Sequence, residues 1–322
     1  MNRYVIRGLM AASVATLAIP LATPASAQAT RTWISGVGDD ANPCSRTAPC
    51  KTFAGSISKT AAGGEINCLD PGGFGAVTIT KSIKLLCDNV GGGITASGVN
   101  AIVINAGVND VIVISGLEID GLGTGINGIR FLAGGGLHLR NSTIRGFKSA
   151  TSYAVNFAPT SPAATLVLDN VTIVKNGLAN NSGGILIQPA ANVAVTFAID
   201  KVKIADNGGT ALRVDTTGIA GASVKGVVSN SVFADAANAV FAKVPTGSTA
   251  NILVTGNSIA TNQNGVVSQD VGATVRVSNN LISSNSAFGV RSISGGTLIS
   301  YGDNELTNNG TNGTFTSTVS KQ

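Results

Sequence analysis

The chain has 322 residues, of which 43% are hydrophobic, 11% charged and 4% aromatic, and it contains 41 glycines. β-Branched residues, Asn, Ser, Thr and Gly are abundant, whereas Glu and Lys are scarce, which indicates a β protein with frequent turns. Without the N-terminal segment described next, 19 basic and 16 acidic residues remain. A net charge of +3 is too small to argue for a nucleic-acid partner or for a membrane surface.

Residues 1–27 have the layout of a cleaved secretory signal peptide. Arg3 and Arg7 form a basic start, an apolar stretch follows over 8–22, and Ala25-Ser26-Ala27 fits a small-x-small cleavage site. The apolar stretch is short for a membrane anchor, and Gly, Asn or Asp interrupts every later apolar run. We therefore expect a secreted or periplasmic protein with no membrane span after cleavage.

Residues 28–64 are interpreted as an N-terminal cap. The segment from Lys51 to Ala62 carries Phe53, Ile57 and Ala61 on one helical face, and Gly63-Gly64 follows it as a stop signal. This pattern predicts a short amphipathic helix that covers the open end of the core that follows.

Four cysteines in an exported protein predict two disulfides. They are Cys44, Cys50, Cys68 and Cys87. Three pairings are possible, and Cys68 and Cys87 occupy equivalent positions on consecutive repeat units, which favours their pairing. Cys44 and Cys50 would then close a small loop. A zinc site is the alternative, but the spacings lack a C-x-x-C pair and the single histidine, His138, is remote.

A repeat extends over residues 65–306. One series of apolar positions recurs every 23 to 31 residues and comprises Ile119, Ile144, Ile173, Ile204, Phe233, Ile259, Ile282 and Leu306. A second series recurs every 24 to 30 residues and comprises Ile129, Val155, Ile185, Leu212, Val240, Val266 and Val290. Two series that share one period predict a solenoid, because a single unit cannot bury its apolar face until others stack on it.

The predicted fold class is all-β, a single-stranded right-handed parallel β-helix of about nine coils with three short strands in each coil. Asn recurs at the turns, where it suits a left-handed backbone and can hydrogen-bond to the next coil. A β-sandwich would not keep one three-strand pattern in register so many times. Residues 307–322 are expected to form a polar, loosely ordered C-terminal tail.

Four motifs ahead of the coils resemble the start of bacterial right-handed parallel β-helix repeat proteins of the pectin-lyase-like superfamily. They are Asn42-Pro43-Cys44, Pro49-Cys50-Lys51-Thr52-Phe53, Ala62-Gly63-Gly64-Glu65-Ile66 and Pro71-Gly72-Gly73-Phe74. The resemblance covers nearly all of the mature chain and is specific for fold rather than for activity. Relatives of this fold often cut acidic polysaccharides, so it implies two enzymatic mechanisms to consider.

The resemblance to polygalacturonase-like members implies catalytic aspartates two residues before the inward apolar residue of the second series. The residues at those positions are Asn127, Tyr153, Gly183, Thr210, Asn238, Asn264 and Phe288. Hydrolysis needs a pair of carboxylates, one as acid and one as base or nucleophile. None of these residues is acidic, so we do not expect hydrolysis by that mechanism.

The resemblance to lyase members implies carboxylates that hold Ca²⁺ and an Arg or Lys that acts as the base. The outward residues of the second-series strand are Arg130, Asn156, Leu186, Arg213, Phe241, Val267 and Arg291. No acidic residue is expected beside these arginines on the strand. Glu118 and Asp120 flank Ile119 and share an outward face, which makes them a candidate Ca²⁺ site or, alternatively, a charged strand edge that blocks unwanted pairing.

Arg130, Arg213 and Arg291 are candidate ligand-binding residues. Tyr153 and Phe241, about three coils apart, are candidate sugar-stacking platforms. The arginines are three coils apart, about 14 Å at about 4.8 Å per coil, and guanidinium groups favour bidentate contact with carboxylates. His138 should face outward without a catalytic role. We assign no catalytic residue and no cofactor other than the candidate Ca²⁺.

Three classes of function follow from these features. The first is a monomeric, exported β-helix protein that binds a polysaccharide or a cell-surface glycan or serves as a structural element, without nucleic acid. The alternative is a polysaccharide lyase or hydrolase that acts on an acidic polysaccharide through an atypical site. An adhesin or passenger-like fragment is the third, and the C-terminal sequence contains no anchor motif that would favour it.

Overall fold

The computed structural model describes residues 28–179 and 181–321, so the predicted signal peptide lies outside the described residues. The single helix within these described ranges is α1 (Phe53–Ile57). The first strands are β1 (Ala29–Ile34), β2 (Thr60–Cys68), β3 (Gly72–Gly73), β4 (Val77–Ile79), β5 (Ile83–Leu86), β6 (Gly92–Thr95), β7 (Ile102–Asn105), β8 (Val111–Ser115), β9 (Leu117–Asp120), β10 (Asn127–Ala133), β11 (Gly136–Arg145), β12 (Tyr153–Phe157), β13 (Ala163–Val174) and β14 (Gly183–Ile187). The remaining strands are β15 (Ala194–Asp200), β16 (Lys203–Ala205), β17 (Thr210–Asp215), β18 (Ser223–Ser229), β19 (Val232–Ala234), β20 (Asn238–Lys243), β21 (Thr249–Thr255), β22 (Ser258–Ala260), β23 (Asn264–Gln269), β24 (Ala273–Ser278), β25 (Leu281–Ser283), β26 (Phe288–Ile293), β27 (Thr297–Ser300), β28 (Glu305–Thr307) and β29 (Ser317–Thr318).

These strands form a parallel β-helix of about nine turns, as the repeat predicts. Each complete turn contributes one strand to a nine-stranded sheet, ordered β4-β7-β10-β12-β14-β17-β20-β23-β26, which we call the short sheet. The rest of each turn contributes two strand segments to a twenty-stranded sheet, which we call the long sheet. Within the described ranges, no helix has the length and apolar character needed to cross a membrane.

The two predicted apolar series form inward columns, which confirms the register that the period implied. In the short sheet Ile129 pairs with Val155, and the column continues in parallel register to Val290. In the long sheet Ile119 pairs with Ile144, and that column continues to Leu306. All of these side chains are buried except Leu306, which is partly buried at the last turn. Burial of stacked aliphatic side chains is therefore the main stabilising term of the fold.

Asparagines occupy the turns between the strand segments. Asn141, Asn170, Asn230 and Asn279 have φ between 48° and 53°, a left-handed conformation that Asn tolerates. Buried amides also join successive turns: Asn257 Nδ2 donates to Asn280 Oδ1 at 2.9 Å. Such ladders satisfy amide groups that would otherwise be buried without a partner, so they fix the stacking of neighbouring turns.

The N-terminal cap contains a strand that the sequence did not indicate. β1 pairs in parallel with β2, where Trp33 lies opposite Asn67. This pairing begins β2 at Thr60, so the helix ends at Ile57 rather than near Ala62, and Ala61 lies in a strand. The helix still closes the core, because buried Phe53 meets Phe74 edge-on with ring centroids 5.7 Å apart.

Both predicted disulfides are present. Cys44 pairs with Cys50 at a Cα–Cα distance of 4.6 Å, and Cys68 pairs with Cys87 at 4.9 Å. The first closes a loop of the cap and the second joins the two earliest turns. Disulfides are typical of proteins that fold in an oxidising compartment.

The C-terminal tail packs onto the last turn instead of lying loose. Ser317 pairs with Ile299, and Phe315 packs against the core as a partly buried side chain. Gly289 N–H and Val290 N–H donate to the carbonyls of Thr311 and Asn312. A solenoid needs its last turn covered, and these residues cover it.

Candidate functional site

The candidate site lies on the outward face of the short sheet. Residues on this face alternate with the inward column, so one outward residue per turn stacks in parallel register. As predicted, this column comprises Arg130, Asn156, Leu186, Arg213, Phe241, Val267 and Arg291.

A cleft of about 460 Å³ lies over β10, β12, β14 and β17. Two arginines, one aspartate and several amide side chains line it, together with aliphatic residues and one tyrosine. The lining residues are Ile126, Asn127, Arg130, Thr151, Tyr153, Asn156, Ala158, Asn181, Leu186, Gln188, Arg213 and Asp215. The structure thus brings three of the four predicted ligand residues together and leaves the fourth, Arg291, outside.

The cleft contains a carboxylate, Asp215, that is not among the predicted site residues. Asp215 follows Arg213 by two residues on β17, so both side chains lie on the same face. The expectation that no acidic residue accompanies the arginines is therefore wrong. Arg213 Nε donates to Asp215 Oδ2 at 2.9 Å, and the two side chains retain only 13% and 7% of their exposure. Strand alternation would have revealed Asp215, because the next outward residue on each strand lies two positions after the one that was compared.

Asp215 is held in its ionised form. Burial would raise the pKa of this carboxyl, but hydrogen bonds from Thr217 and Arg213 together with the Arg213 charge outweigh it, so the pKa lies below the ordinary value. Arg213 is further fixed by donating to Asn181 Oδ1 at 3.2 Å and by lying 5.4 Å from the Phe241 ring centroid. Arg213 and Asp215 therefore form a neutral, preorganised pair in the cleft wall.

Arg130 is the uncompensated cation of the cleft. Its half-buried side chain makes no hydrogen bond or ion pair with any described residue, in contrast to Arg213. The side-chain amides of Asn156 and Gln188, which share the cleft, likewise make no hydrogen bond within the described ranges. The cleft thus offers one positive charge and several amide donors and acceptors to a ligand.

Tyr153 forms part of the cleft floor rather than an open stacking platform. Only 4% of it is exposed, and its backbone N–H donates to Asn127 Oδ1 at 3.0 Å. Burial raises the pKa of the phenol to about 12, with Arg213 opposing and Asp215 adding to the effect. The phenol is therefore protonated at neutral pH and is a poor general base.

Arg291 lines a separate cavity of about 520 Å³ beneath the C-terminal tail. Its exposed guanidinium lies 4.6 Å from the centroid of the Phe288 ring, and Phe315 lines the same cavity. The three arginines are therefore in one column, as predicted, but they have three different environments.

Glu118 and Asp120 share an outward face, and both contact Arg145. The Arg145 Nη2 atom lies 2.6 Å from Glu118 Oε1 and 3.0 Å from Asp120 Oδ2. A bound Ca²⁺ would have to compete with this guanidinium for the same oxygens, so the residues present do not fit a calcium site. Among residues 28–179 and 181–321, no three His, Cys, Asp or Glu side chains cluster as a metal site. His138 is exposed, as expected from its outward position.

Comparison with known proteins finds no matching family model, no matching curated protein and no matching solved structure. Function is therefore inferred from the residues that line the cleft. Cleavage by two carboxylates requires one carboxyl group that is protonated and a second that is ionised. Asp215 is the single carboxylate among the described residues that line the cleft, and its lowered pKa makes it a poor proton donor.

Proposed function

We propose that the cleft binds an acidic sugar unit and that the protein is an exported glycan-binding β-helix protein. The observation that carries this proposal is the contrast between the two cleft arginines. Arg213 is neutralised by Asp215, whereas Arg130 has no carboxylate partner among the described residues. A uronate carboxylate on Arg130 would supply that partner.

The remaining lining residues suit the hydroxyl groups of the same sugar. Asn156 and Gln188 each present an amide that can both donate and accept, and the second oxygen of Asp215 lies in a fixed position. A few convergent polar groups of this kind fix the orientation of a bound molecule in a partly apolar cleft. A fold like that of the pectin-lyase-like superfamily is consistent with a glycan ligand, but it does not identify one.

The test is isothermal titration of the purified protein with a short oligogalacturonate and with its fully methyl-esterified form, which has the same backbone without charge. We expect binding of the acidic form alone. Arg130→Ala should weaken it by about tenfold to hundredfold, as for a charge-assisted hydrogen bond of about 1.5–3 kcal/mol. Arg276→Ala is the control, because this arginine lies on the long sheet.

Equal binding of both forms, or an Arg130→Ala variant with unchanged affinity, would contradict the proposal. The same titration mixtures test the enzymatic alternative. A lyase would generate unsaturated sugar ends that absorb ultraviolet light, and a hydrolase would generate new reducing ends. Their accumulation would assign the cleft to an enzyme instead.

A further inference from the structure

A second polar pocket lies on the long sheet, where the two strand segments of successive turns meet. Its volume is about 610 Å³. Apart from Gly116, every residue that lines it is polar, and these residues are Asp88, Asn89, Asn141, Ser142, Thr143, Asn170 and Thr172. A pocket lined in this way offers hydrogen bonds rather than apolar contacts to a ligand.

The pocket lies beside a turn that lacks a side chain. Gly116, Asn141 and Asn170 follow paired strand residues in three successive turns, with left-handed φ angles of 75°, 49° and 53°. The two asparagines stack, because Asn170 Nδ2 donates to Asn141 Oδ1 at 3.0 Å. At Gly116 a Cβ would lie 2.4 Å from the backbone nitrogen of Asp88. Glycine therefore lets the segment that begins at Asp88 pass over this turn and border the pocket.

Asp88 is held through one of its two carboxylate oxygens. Asp88 Oδ1 accepts from Ser115 Oγ at 2.6 Å and from Asn141 Nδ2 at 3.0 Å. Asp88 Oδ2 accepts no hydrogen bond from the described residues. The carboxylate is therefore fixed in position, with one oxygen left for a ligand.

Asp88 lacks the cation that accompanies a similar aspartate further along the long sheet. Asp200 accepts from Ser229 Oγ at 2.7 Å and from Asn230 Nδ2 at 2.8 Å, and Lys201 Nζ lies 3.5 Å from its other oxygen. Asp88 makes the same two kinds of hydrogen bond but no ion pair within residues 28–179 and 181–321. A cation from outside the protein can therefore occupy the place that Lys201 takes at Asp200.

The basic residues near Asp88 leave its second oxygen free. Arg140 Nε donates to Ser115 Oγ at 3.1 Å, and Arg140 lies beside a further exposed carboxylate, Asp169, in the strand register. One guanidinium can neutralise at most one of these two carboxylates. Lys84, which lies on β5 four residues before Asp88, forms no ion pair with it.

The free groups of the pocket suit a sugar that carries an ammonium group. The side chains of Asn89, Thr143 and Thr172 make no hydrogen bond to the described part of the chain, and Asp88 Oδ2 supplies the charge. Amide and hydroxyl groups match the hydroxyl groups of a sugar, and a carboxylate matches an ammonium group. Calcium fits less well, because it takes about six to eight oxygen ligands and the pocket holds one free carboxylate oxygen.

We infer that this pocket is a second glycan site, at which Asp88 binds the ammonium group of an amino sugar and the asparagine and threonine side chains bind its hydroxyl groups. The site is separate from the cleft on the short sheet, for which we propose an acidic sugar. The two sites thus take sugars of opposite charge on different sides of the solenoid, and each can be tested without the other.

The experiment is a titration with a short glucosamine oligomer and with its fully N-acetylated form, at about pH 6, where amines are protonated and carboxylates are ionised. We expect the wild type to bind the free-amine form alone. Asp88→Asn keeps the oxygen that accepts from Ser115 and Asn141 but removes the charge, and it should weaken binding about tenfold to hundredfold. The matched control is Asp200→Asn, which removes a carboxylate with similar contacts outside the pocket and should bind like the wild type.

Two further variants separate binding from folding and from the cleft. Thr172→Val replaces a hydroxyl group of the lining by a methyl group and should weaken binding about twofold to tenfold. Arg130→Ala changes the cleft alone and should leave the affinity for the amino sugar unchanged. Thermal unfolding of each variant shows whether the fold is intact.

Equal binding of the N-acetylated form, or an Asp88→Asn variant with unchanged affinity, overturns the amino-sugar site. An equal loss in Asp200→Asn also overturns it, because net charge alone would then explain the binding. If a lysine-rich peptide binds as tightly as the amino sugar, the pocket receives the ammonium groups of a protein and the sugar assignment fails. If the amino sugar does not bind while an oligogalacturonate binds in an Arg130-dependent manner, this site fails and the proposed function of the cleft stands.

Discussion

Arg213 and Asp215 lie two residues apart on one strand, and their side chains form an ion pair that is nearly closed to solvent. The pair is supported by Asn181 and Thr217, so it acts as a rigid part of the cleft wall. Because it is neutral as a unit, the charge that a ligand meets in the cleft comes from Arg130.

Asp215→Ala should destabilise the protein by about 3 kcal/mol, because it leaves the mostly buried Arg213 guanidinium without its counter-charge. Urea unfolding followed by far-ultraviolet circular dichroism measures this change. The Arg213→Met/Asp215→Leu double variant should recover much of the loss, since an apolar pair of similar volume can replace a buried ion pair. If Asp215→Ala is as stable as the wild type, the buried ion pair does not stabilise the protein.

The stability of the protein should also fall at acidic pH partly through Asp215. The pKa of Asp215 in the folded protein lies below its ordinary value of 3.8. Its contribution is therefore present above the unfolded-state pKa and is lost as the pH falls through the folded-state value. Urea unfolding between about pH 6 and about pH 2 should show a shallower loss for Asp215→Asn than for the wild type. If the unfolding free energies of the two proteins fall in parallel with pH, Asp215 does not contribute to the loss of stability in acid.

Periodicity in the sequence was sufficient to predict the solenoid. The inward columns ending at Val290 and Leu306 follow from spacing, because a residue that must be buried in each turn recurs once per turn. The same register predicted the Cys68–Cys87 disulfide. Strand β1 was missed because it lies ahead of the repeat that the apolar period marks. Its pairing with β2, which begins at Thr60, also leaves a shorter helix than predicted.

The cleft was only partly predictable. The sequence placed Arg130 and Arg213 in one column, but it could not show that one of them is neutralised and the other is not. That difference depends on the side-chain contacts of Asp215. Asp215 lies two residues after Arg213, and only the outward position that Arg213 occupies was compared between the strands.

Removing the Cys68–Cys87 disulfide by the Cys68→Ser/Cys87→Ser substitution should lower the free energy of unfolding by about 2–4 kcal/mol. The bridge joins the two earliest turns, where a solenoid would otherwise begin to fray. Hydrogen exchange should therefore increase first in β2 and β5 and much less in the central turns. Uniformly increased exchange along the whole chain would contradict this local role.

Gly313→Ala should detach the C-terminal tail. Gly313 has a φ of 80°, and an added Cβ would overlap the Val290 carbonyl oxygen. Amides of residues 311–318 should exchange faster in this variant. Gly98→Ala is the matched control, because Gly98 has a φ of 67° with no atom within 4 Å of the added Cβ. If both variants leave the tail equally protected, the tail is not held by this contact.

The central claim is that Arg130 receives the carboxylate of an acidic sugar in the cleft. A crystal structure of the protein with a short oligogalacturonate tests it most directly. We expect a uronate unit over β10 to β17, with its carboxylate within hydrogen-bond distance, about 2.7–2.9 Å, of the Arg130 guanidinium. The Arg213–Asp215 pair should be intact beside it. A sugar bound on the long sheet, or one in the cleft whose carboxylate points away from Arg130, would contradict the claim.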